Sequence, residues 1–347
     1  MRIITMKCLI KRLPKWLLII GLSFGLFFSL NANAPTLADD FGAAIPARST
    51  PAADSSAKIA LQFQPRVGEE RVLRMHVVQS GTQSDRKIKS NMRQVVGIDT
   101  AYRVLSIATD GRVRVRSTTR ATRFLREIDG KVVARYDSSQ PSKNISSDEE
   151  IFALMHGLTF VVRFNPDGTI DEIEEKDKVV EQMLEKMEIN VESRKHLRPL
   201  MTGALDNTAF KNLGNLFAAF PENEVGVGDS WPKTDIVTID SNLIYDGTLT
   251  LAKRNAGRST LNLKSAIKPD PNRADKAIVM AISGAQNGYF SVEEKSGWTN
   301  RAHLEQRWSA RVKDAGIPIA ANTKPNDKNG RMMYVKMTFD VGTLSAK

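Results

Sequence analysis

Few residues of the sequence have the type and spacing that catalysis or metal binding requires. The four histidines lie far apart, and none stands at metal-ligand spacing from another: His76, His156, His196 and His303. The one cysteine, Cys8, precedes an apolar run and leaves the rest of the chain without a thiol. The paired acids are adjacent residues that point to different sides, whereas glycoside hydrolysis needs carboxylates facing each other across a cleft. We therefore expect no metal, no cofactor and no enzymatic activity, with a hydrolase as the least favoured alternative.

Arginines alternate along one predicted strand and place positive charge on one of its faces. The row consists of Arg112, Arg114, Arg116 and Arg120. Such guanidinium groups could bind phosphate, acidic polysaccharide or anionic lipid, and they could contact another protein of the cell envelope. The alternative is a solvated strand face, which needs charge. No aromatic residues interleave with the arginines, so we expect no nucleic acid partner.

Tryptophans offer a different kind of site in the second half of the chain. Those outside the first 38 residues are Trp231, Trp298 and Trp308. Trp298, Leu304 and Trp308 share parity on one predicted strand, so they point to the same side. Together with Trp231 they could line a concave site for an acyl chain or another apolar ligand. The alternative is that they fill the core beneath covering helices.

Long strands with a two-residue alternation must position these side chains. Residues 298–312 have largely apolar even positions and polar odd positions, over about 50 Å at strand rise. A second alternating strand includes Met333, Val335, Met337, Phe339 and Val341. Long strands with one wet face belong to antiparallel sheets. We predict an α+β, mainly β fold with long, curved, half-barrel-like antiparallel sheets.

A short motif recurs before two strand-rich stretches. Residues 63–69 (FQPRVGE) and 220–231 (FPENEVGVGDSW) both combine an aromatic residue, a proline and Val-Gly followed by an acid. The recurrence suggests two related halves, unless Val-Gly-acid recurs by chance at turns. We expect a first β half over 59–173, a helical segment over 174–221 that covers one face, and a second β half over 222–347.

The first 38 residues have the three-part pattern of a signal peptide. Residues 1–15 are basic, and the fifteen apolar residues 16–30 are short for a bilayer span. Cleavage after Ala38 is favoured over cleavage after Ala34, because Pro35 would follow the earlier cut. An uncleaved anchor is the alternative. Residues 39–58 are rich in Ala, Pro, Ser and Asp and predict a flexible linker.

Composition agrees with an exported globular protein. The chain is 41% hydrophobic and 26% charged, which allows a sizeable core. Its net charge is +11, but part of this belongs to the leader, so the remainder is only mildly basic. We expect a periplasmic or extracellular protein with no stable transmembrane span after the signal is cleaved.

Several of these segments recur together in a known arrangement. They are the leader, Val-Gly-Glu before a strand, residues 164–170 (FNPDGTI), a helical spacer, residues 227–231 (VGDSW) and a late hairpin around Trp298. This layout resembles a family of exported bacterial β-rich proteins of unknown function. More distantly, it is similar in architecture to the half-barrel of periplasmic lipoprotein carriers, although this chain has room for two such units.

These observations lead to one functional hypothesis and one main alternative. The hypothesis is a non-enzymatic envelope protein that binds a lipid or another amphiphile on a concave sheet face, through Trp231, Trp298, Leu304 and Trp308. The alternative is a scaffold or assembly protein that binds other envelope proteins through its sheet edges or the arginine row.

Overall fold

A computed structural model describes residues 57–85, 88–141, 146–187, 190–206, 217–237, 243–269, 279–312 and 331–344. The predicted signal peptide and nearly all of the predicted linker lie outside the described residues. The same is true of residues 207–216 in the predicted helical segment.

Long antiparallel strands make up most of the described chain, and they form one sheet of twelve strands. The first six strands are β1 (Glu70–Asp85), β2 (Ile88–Ile107), β3 (Val113–Ile128), β4 (Lys131–Asp137), β5 (Thr159–Phe164) and β6 (Ile170–Glu174). The second six are β7 (Ser230–Val237), β8 (Leu243–Asn255), β9 (Arg258–Pro269), β10 (Val279–Glu293), β11 (Thr299–Val312) and β12 (Arg331–Thr343). The described helices are α1 (Ser147–Met155), α2 (Lys176–Lys186) and α3 (Val191–Asp206). The prediction of a mainly β fold with long antiparallel strands is confirmed.

The two halves of the chain form one continuous, open sheet. The strand order is β6-β5-β3-β2-β1-β12-β11-β10-β9-β8-β7, and β4 pairs with β3 outside this path. The halves meet where β1 pairs with β12, from Leu73 opposite Thr343 to Ser84 opposite Met332. The sheet does not close into a barrel, in keeping with the predicted half-barrel character.

Equivalent loops lead into β1 and β7, the first strand of each half. Gly68 and Gly228 adopt φ angles of 82° and 97° and donate to carbonyls of β2 and β8 at 2.9 and 2.8 Å. The carboxylates of Glu69 and Asp229 each accept the backbone N–H three residues earlier, at 3.0 and 2.9 Å. The two occurrences of the Val-Gly-acid motif therefore form the same hydrogen bonds.

The aromatic residues of the two motifs dock on one turn between β5 and β6. The Phe63 N–H donates to the Pro166 carbonyl at 2.7 Å, and the Phe220 N–H donates to the Asp167 carbonyl at 2.8 Å. Both phenylalanines are buried. This contact brings residues 57–66 and 217–220 against the same end of the sheet.

One face of the sheet, called here the inner face, carries the core. On β11 and β12 the buried residues alternate with exposed or half-buried ones, as predicted, and include Ala302, Leu304, Val335 and Phe339. Helix α1 covers part of this face, and its Phe152 ring stacks on Phe124 at 4.4 Å. The opposite face, called the outer face, carries most of the charged side chains.

Helices α2 and α3 pack beside β5 around a separate hydrophobic cluster. The cluster includes Val180, Met183, Leu184 and Leu197, and Phe160 of β5 packs against it. The predicted helical segment thus covers the β5 end of the sheet.

Candidate functional site

A row of polar side chains crosses the inner face of the sheet. Each member is the cross-strand partner of the next. The row therefore takes one residue from each of the nine strands from β3 to β7 in the sheet order. In that order its positions are Arg126, Gln94, Gln79, Met337, Gln306, Gln286, Ser265, Gly247 and Lys233. We refer to these nine positions as the polar row.

The polar members of the row are deeply buried. Gln79 is 3% exposed, and the other six are between 6% and 8% exposed. Burying an amide, hydroxyl or charged group costs free energy unless the group is hydrogen-bonded. A fold that needed only a core would carry apolar residues here, as the rows on either side do.

Four of the seven polar side chains, those of Arg126, Gln94, Gln306 and Lys233, have an interaction partner in the protein. The Arg126 guanidinium donates to Gln94 Oε1 at 3.2 Å, and the Tyr245 hydroxyl lies 3.5 Å from Gln306 Oε1. Within the described part of the chain, the side chains of Gln79 and Gln286 form no hydrogen bond, and the enclosed Ser265 hydroxyl has no partner. At Gln79, Gln286 and Ser265 the row therefore presents donors and acceptors that the described residues do not satisfy.

The polar row divides the apolar inner face into two parts. On one side lies the main core, which α1 and residues 57–66 cover and which includes Val77, Phe124 and Leu304. On the other side lies a smaller cluster formed by Ile267, Trp308, Ala310 and Val335, with Tyr245 packed against it. We call this second group the Trp308 cluster.

Glycines on the inner face allow the strands around the Trp308 cluster to approach closely. A Cβ atom at Gly284 would lie 2.8 Å from the Cα of Trp308, and one at Gly247 would lie 2.8 Å from the Cβ of Ser265. Neither position can therefore accept a side chain without backbone movement. Glycines at such places favour a sharply curved sheet.

The structure separates the four residues predicted to bind a ligand. Trp298 is 1% exposed and packs edge-on against Phe63 with ring centroids 5.0 Å apart. Leu304 and Trp231 also belong to the main core, and the Trp231 indole N–H donates to the Ala219 carbonyl at 2.9 Å. These three placements favour the core-filling interpretation. Trp308 alone lies beyond the polar row.

The predicted arginine row lies on the outer face, where most of its members pair with acidic side chains. Arg112 contacts Asp110 at 2.7 Å, Arg114 contacts Glu174 at 2.6 Å, and Arg120 pairs with Glu70. The hydrogen bond from Arg114 lowers the pKa of Glu174. Arg116 is exposed and forms no ion pair with a described residue. This arrangement favours the alternative of a solvated, ion-paired strand face.

The described residues contain neither a metal cluster nor a membrane-spanning helix. No group of three or more His, Cys, Asp or Glu side chains in these ranges is arranged to hold a metal ion. None of the described helices is both long enough and apolar enough to cross a bilayer.

Sequence comparison places most of the sheet in a known family. Residues 116–299, more than half of the chain, match a family described as "Family of unknown function (DUF6263)". The chain belongs to the DUF6263 family. This membership confirms the predicted resemblance to proteins of unknown function. No curated protein matches the chain in sequence.

Three solved structures resemble this DUF6263 chain distantly. Lipovitellin, from a structure titled for lipid-protein interactions, has a TM-score of 0.45 and 10% identity over 82% of this chain and 25% of that chain. DynF from the dynemicin biosynthesis pathway of Micromonospora chersina has a TM-score of 0.19 and 7% identity, over 87% and 92% of the two chains. OccK7 (OpdD) of Pseudomonas aeruginosa has a TM-score of 0.21 and 6% identity, over 79% and 98%. The chain spans a quarter of the lipovitellin chain.

Proposed function

We propose that this protein is a non-enzymatic binding protein that holds an amphipathic ligand against the inner face of its sheet. The observation that carries the proposal is the polar row, a set of buried donors and acceptors that crosses an otherwise apolar face. Buried polar groups without protein partners are costly. A ligand that hydrogen-bonds to them would remove that cost.

The Trp308 cluster is the part of the inner face suited to the apolar end of such a ligand. The main core is already packed under α1 and residues 57–66. The Trp308 cluster is small, and it adjoins Gln286 and Gln306 of the polar row through neighbouring positions on β10 and β11. An acyl chain against Trp308 would place its polar end at these two amides.

The chemistry of the row fits a lipid or fatty acid better than a purely apolar molecule. A glutamine side chain both donates and accepts hydrogen bonds, so it can bind a carboxylate, an ester carbonyl or a hydroxyl. Arg126 and Lys233 add positive charge at the two ends of the row. This combination supports a ligand with an apolar chain and a polar or anionic head.

The signal-peptide pattern of residues 1–38 supports export, so the proposed site of action is the periplasm or the extracellular space. The ion pairs along the arginine row give less support to binding of another envelope protein through that face.

A substitution in the polar row tests the proposal. Mature protein (residues 39–347) is titrated with the fluorescent fatty acid cis-parinaric acid as wild type, Gln286→Leu and Asn287→Leu. Loss of a buried hydrogen bond to the ligand should weaken binding by Gln286→Leu about tenfold. The urea midpoint of this variant should stay the same or rise, because an unsatisfied amide is removed. Asn287 is exposed on the outer face of the same strand, so its variant is the matched control.

Native mass spectrometry of mature protein from an exporting host provides the second measurement. An extra mass that disappears on denaturation and belongs to an amphiphile agrees with the proposal. Absence of such a mass, together with no wild-type binding of cis-parinaric acid, overturns it. If Gln286→Leu lowers both the urea midpoint and the affinity for cis-parinaric acid, the row has a structural role instead.

A further inference from the structure

A hollow of about 770 Å³ lies on the outer face, away from the polar row. It extends across β2, β1, β12, β11 and β10, which are neighbours in the sheet. Gly130, in the turn between β3 and β4, lines one side. The hollow is a groove across the strands, so it suits an extended ligand better than a compact one.

A row of hydroxyl and amide side chains with a tyrosine at its centre lines this groove. In strand order its members are Asn91, Thr82, Tyr334, Ser309 and Ser283, each the cross-strand partner of the next. Tyr334 is 55% exposed, although large aromatic side chains are more often buried in a folded domain. The row spans five strands, or about 19 Å at the usual strand spacing.

A second row, two residues along each strand, brings positive charge to the same groove. It includes Arg93 on β2, Lys336 on β12 and Arg307 on β11. Arg307 and Lys336 share one carboxylate, that of Glu305, at 2.6 and 3.0 Å. Arg93 pairs with Glu127 at 3.1 Å. Three cations therefore face two carboxylates, and the cationic side chains of Arg307 and Lys336 are 69% and 52% exposed.

Sugars match this combination of groups. A pyranose ring has an apolar C–H face that packs on an aromatic ring, as Tyr334 provides. Its hydroxyls both donate and accept, and so do the Ser, Thr and Asn side chains beside Tyr334. A carboxylate on the sugar would meet Arg307 and Lys336 with charge-assisted hydrogen bonds.

We propose that this groove, the Tyr334 groove, binds an acidic oligosaccharide whose uronic-acid carboxylates lie beside Arg307 and Lys336. A single-stranded nucleic acid fits less well, because its bases stack on successive aromatic residues. Among the described residues that line the groove, Tyr334 is the aromatic residue of the outer face, and Trp308 also lines it but belongs to the inner face. The site is separate from the inner face and does not depend on a ligand there.

The test uses mature protein (residues 39–347) and isothermal titration with oligogalacturonate, alginate and hyaluronan hexamers. Maltohexaose is the neutral control, and a short oligo-dT strand is the nucleic acid control. Wild type should bind at least one acidic hexamer more tightly than maltohexaose, with an affinity that falls at high salt. Tyr334→Ala should weaken that binding at least about tenfold, which corresponds to ~1.4 kcal/mol.

Two further variants distinguish a built site from general attraction to a basic surface. Tyr289→Ala changes another outer-face tyrosine, which lies beside His303 at a ring-centroid distance of 6.1 Å, and should leave binding unchanged. Arg307→Gln should weaken binding of the acidic hexamer and leave any maltohexaose binding unchanged. The proposal is overturned if the wild type binds none of the three acidic hexamers, or if Tyr334→Ala binds them as tightly as the wild type does. It is also overturned if oligo-dT binds equally tightly and this binding depends on Tyr334.

Discussion

The Tyr245 hydroxyl on β8 lies 3.5 Å from Gln306 Oε1 on β11, although β9 and β10 separate the two strands in the sheet. In a flat sheet, strands three places apart are about 14 Å apart. The sheet must therefore curve toward its inner face here, so that long side chains project across it. Gly247 and Gly284 lie on this curved part and keep its backbones close together. Curvature therefore brings Tyr245, which packs against the Trp308 cluster, nearer to Gln306 of the polar row than the strand order suggests.

The two tryptophans of the predicted ligand face should respond differently to truncation. Trp298→Ala should lower the free energy of unfolding by about 3–5 kcal/mol, because Trp298 is enclosed by Phe63, Tyr102 and Phe217 in the main core. Trp308→Leu should lower the free energy of unfolding by less, since it keeps an apolar side chain in a smaller cluster. It should nevertheless weaken binding of cis-parinaric acid. Urea denaturation and the fluorescence titration measure the two effects, and an unchanged affinity in Trp308→Leu would contradict the assignment.

Gly297, in the turn between β10 and β11, should not tolerate a side chain. It has a φ of 73°, and a Cβ there would lie 2.8 Å from the Cα of Phe63 in the segment 57–66. Gly297→Ala should therefore cost more than about 3 kcal/mol of stability, because both conformation and space oppose it.

Gly257 is the matched control, since it has the same φ of 73° but no atom within 4 Å of the point where a Cβ would lie. Gly257→Ala should cost only the conformational part, about 1 kcal/mol. Urea midpoints of the two variants give the comparison. Equal losses of stability in the two variants would show that residues 57–66 do not restrict the space at Gly297.

The two loops that begin β1 and β7 should both depend on their acidic side chain. Glu69→Gln and Asp229→Asn each weaken a charge-assisted bond to a backbone N–H and should cost about 1–2 kcal/mol. Glu69→Gln should cost more stability, because Glu69 contacts Arg71 at 2.8 Å, whereas Asp229 contacts Lys58 at the longer distance of 3.7 Å. Glu222→Gln, on an exposed acid before β7, should leave the thermal midpoint unchanged. If neither Glu69→Gln nor Asp229→Asn changes the stability, the two carboxylates do not share a structural role.

The contact between Arg254 and Glu294 should make stability depend on pH. The Arg254 hydrogen bond lowers the pKa of Glu294, and the Ser259 hydroxyl contributes in the same direction. A lowered folded-state pKa stabilises the protein above the ordinary glutamate pKa, and this stabilisation is lost as pH falls through the folded value. Arg254→Met should therefore be less stable than wild type at neutral pH, and the difference should shrink below about pH 4.

Arg116→Met provides the charge control for this measurement, because Arg116 has no acidic partner among the described residues. Its stability difference from wild type should be small and should change little over the same pH range. Urea midpoints between neutral and acidic pH measure both variants. A difference for Arg254→Met that grows on acidification would contradict the prediction.

Local patterns in the sequence predicted the parts of the fold that local physics determines. Alternation on β11 and β12 identified which side chains are buried, since neighbouring residues of a strand point to opposite faces. The two Val-Gly-acid motifs identified equivalent loops, because each needs a glycine with positive φ beside a carboxylate acceptor. The sequence did not reveal that β1 pairs with β12, since this pairing joins residues as distant as Leu73 and Thr343.

The polar row was missed because its members are isolated in the sequence. Gln94 and Gln306 each interrupt an apolar alternation, and neither is unusual by itself. Only the strand register places them in one line with Gln79 and Gln286. The Tyr334 groove was missed for the same reason, because Tyr334 is one polar-face residue of β12 until its neighbours on β1 and β11 are known. A buried glutamine recurring once in several predicted strands is the signal that could have been followed.

The pairing of β1 with β12 has a consequence for how the chain reaches its native state. Both strands lie in the middle of the sheet, yet β12 follows all the other described strands in the chain. During synthesis, the first half must keep the β1 edge unpaired until the rest of the chain has emerged. Contacts this distant slow folding, and an open edge invites pairing with other chains. The protein should therefore fold slowly and benefit from a chaperone that shields β1 until β12 arrives.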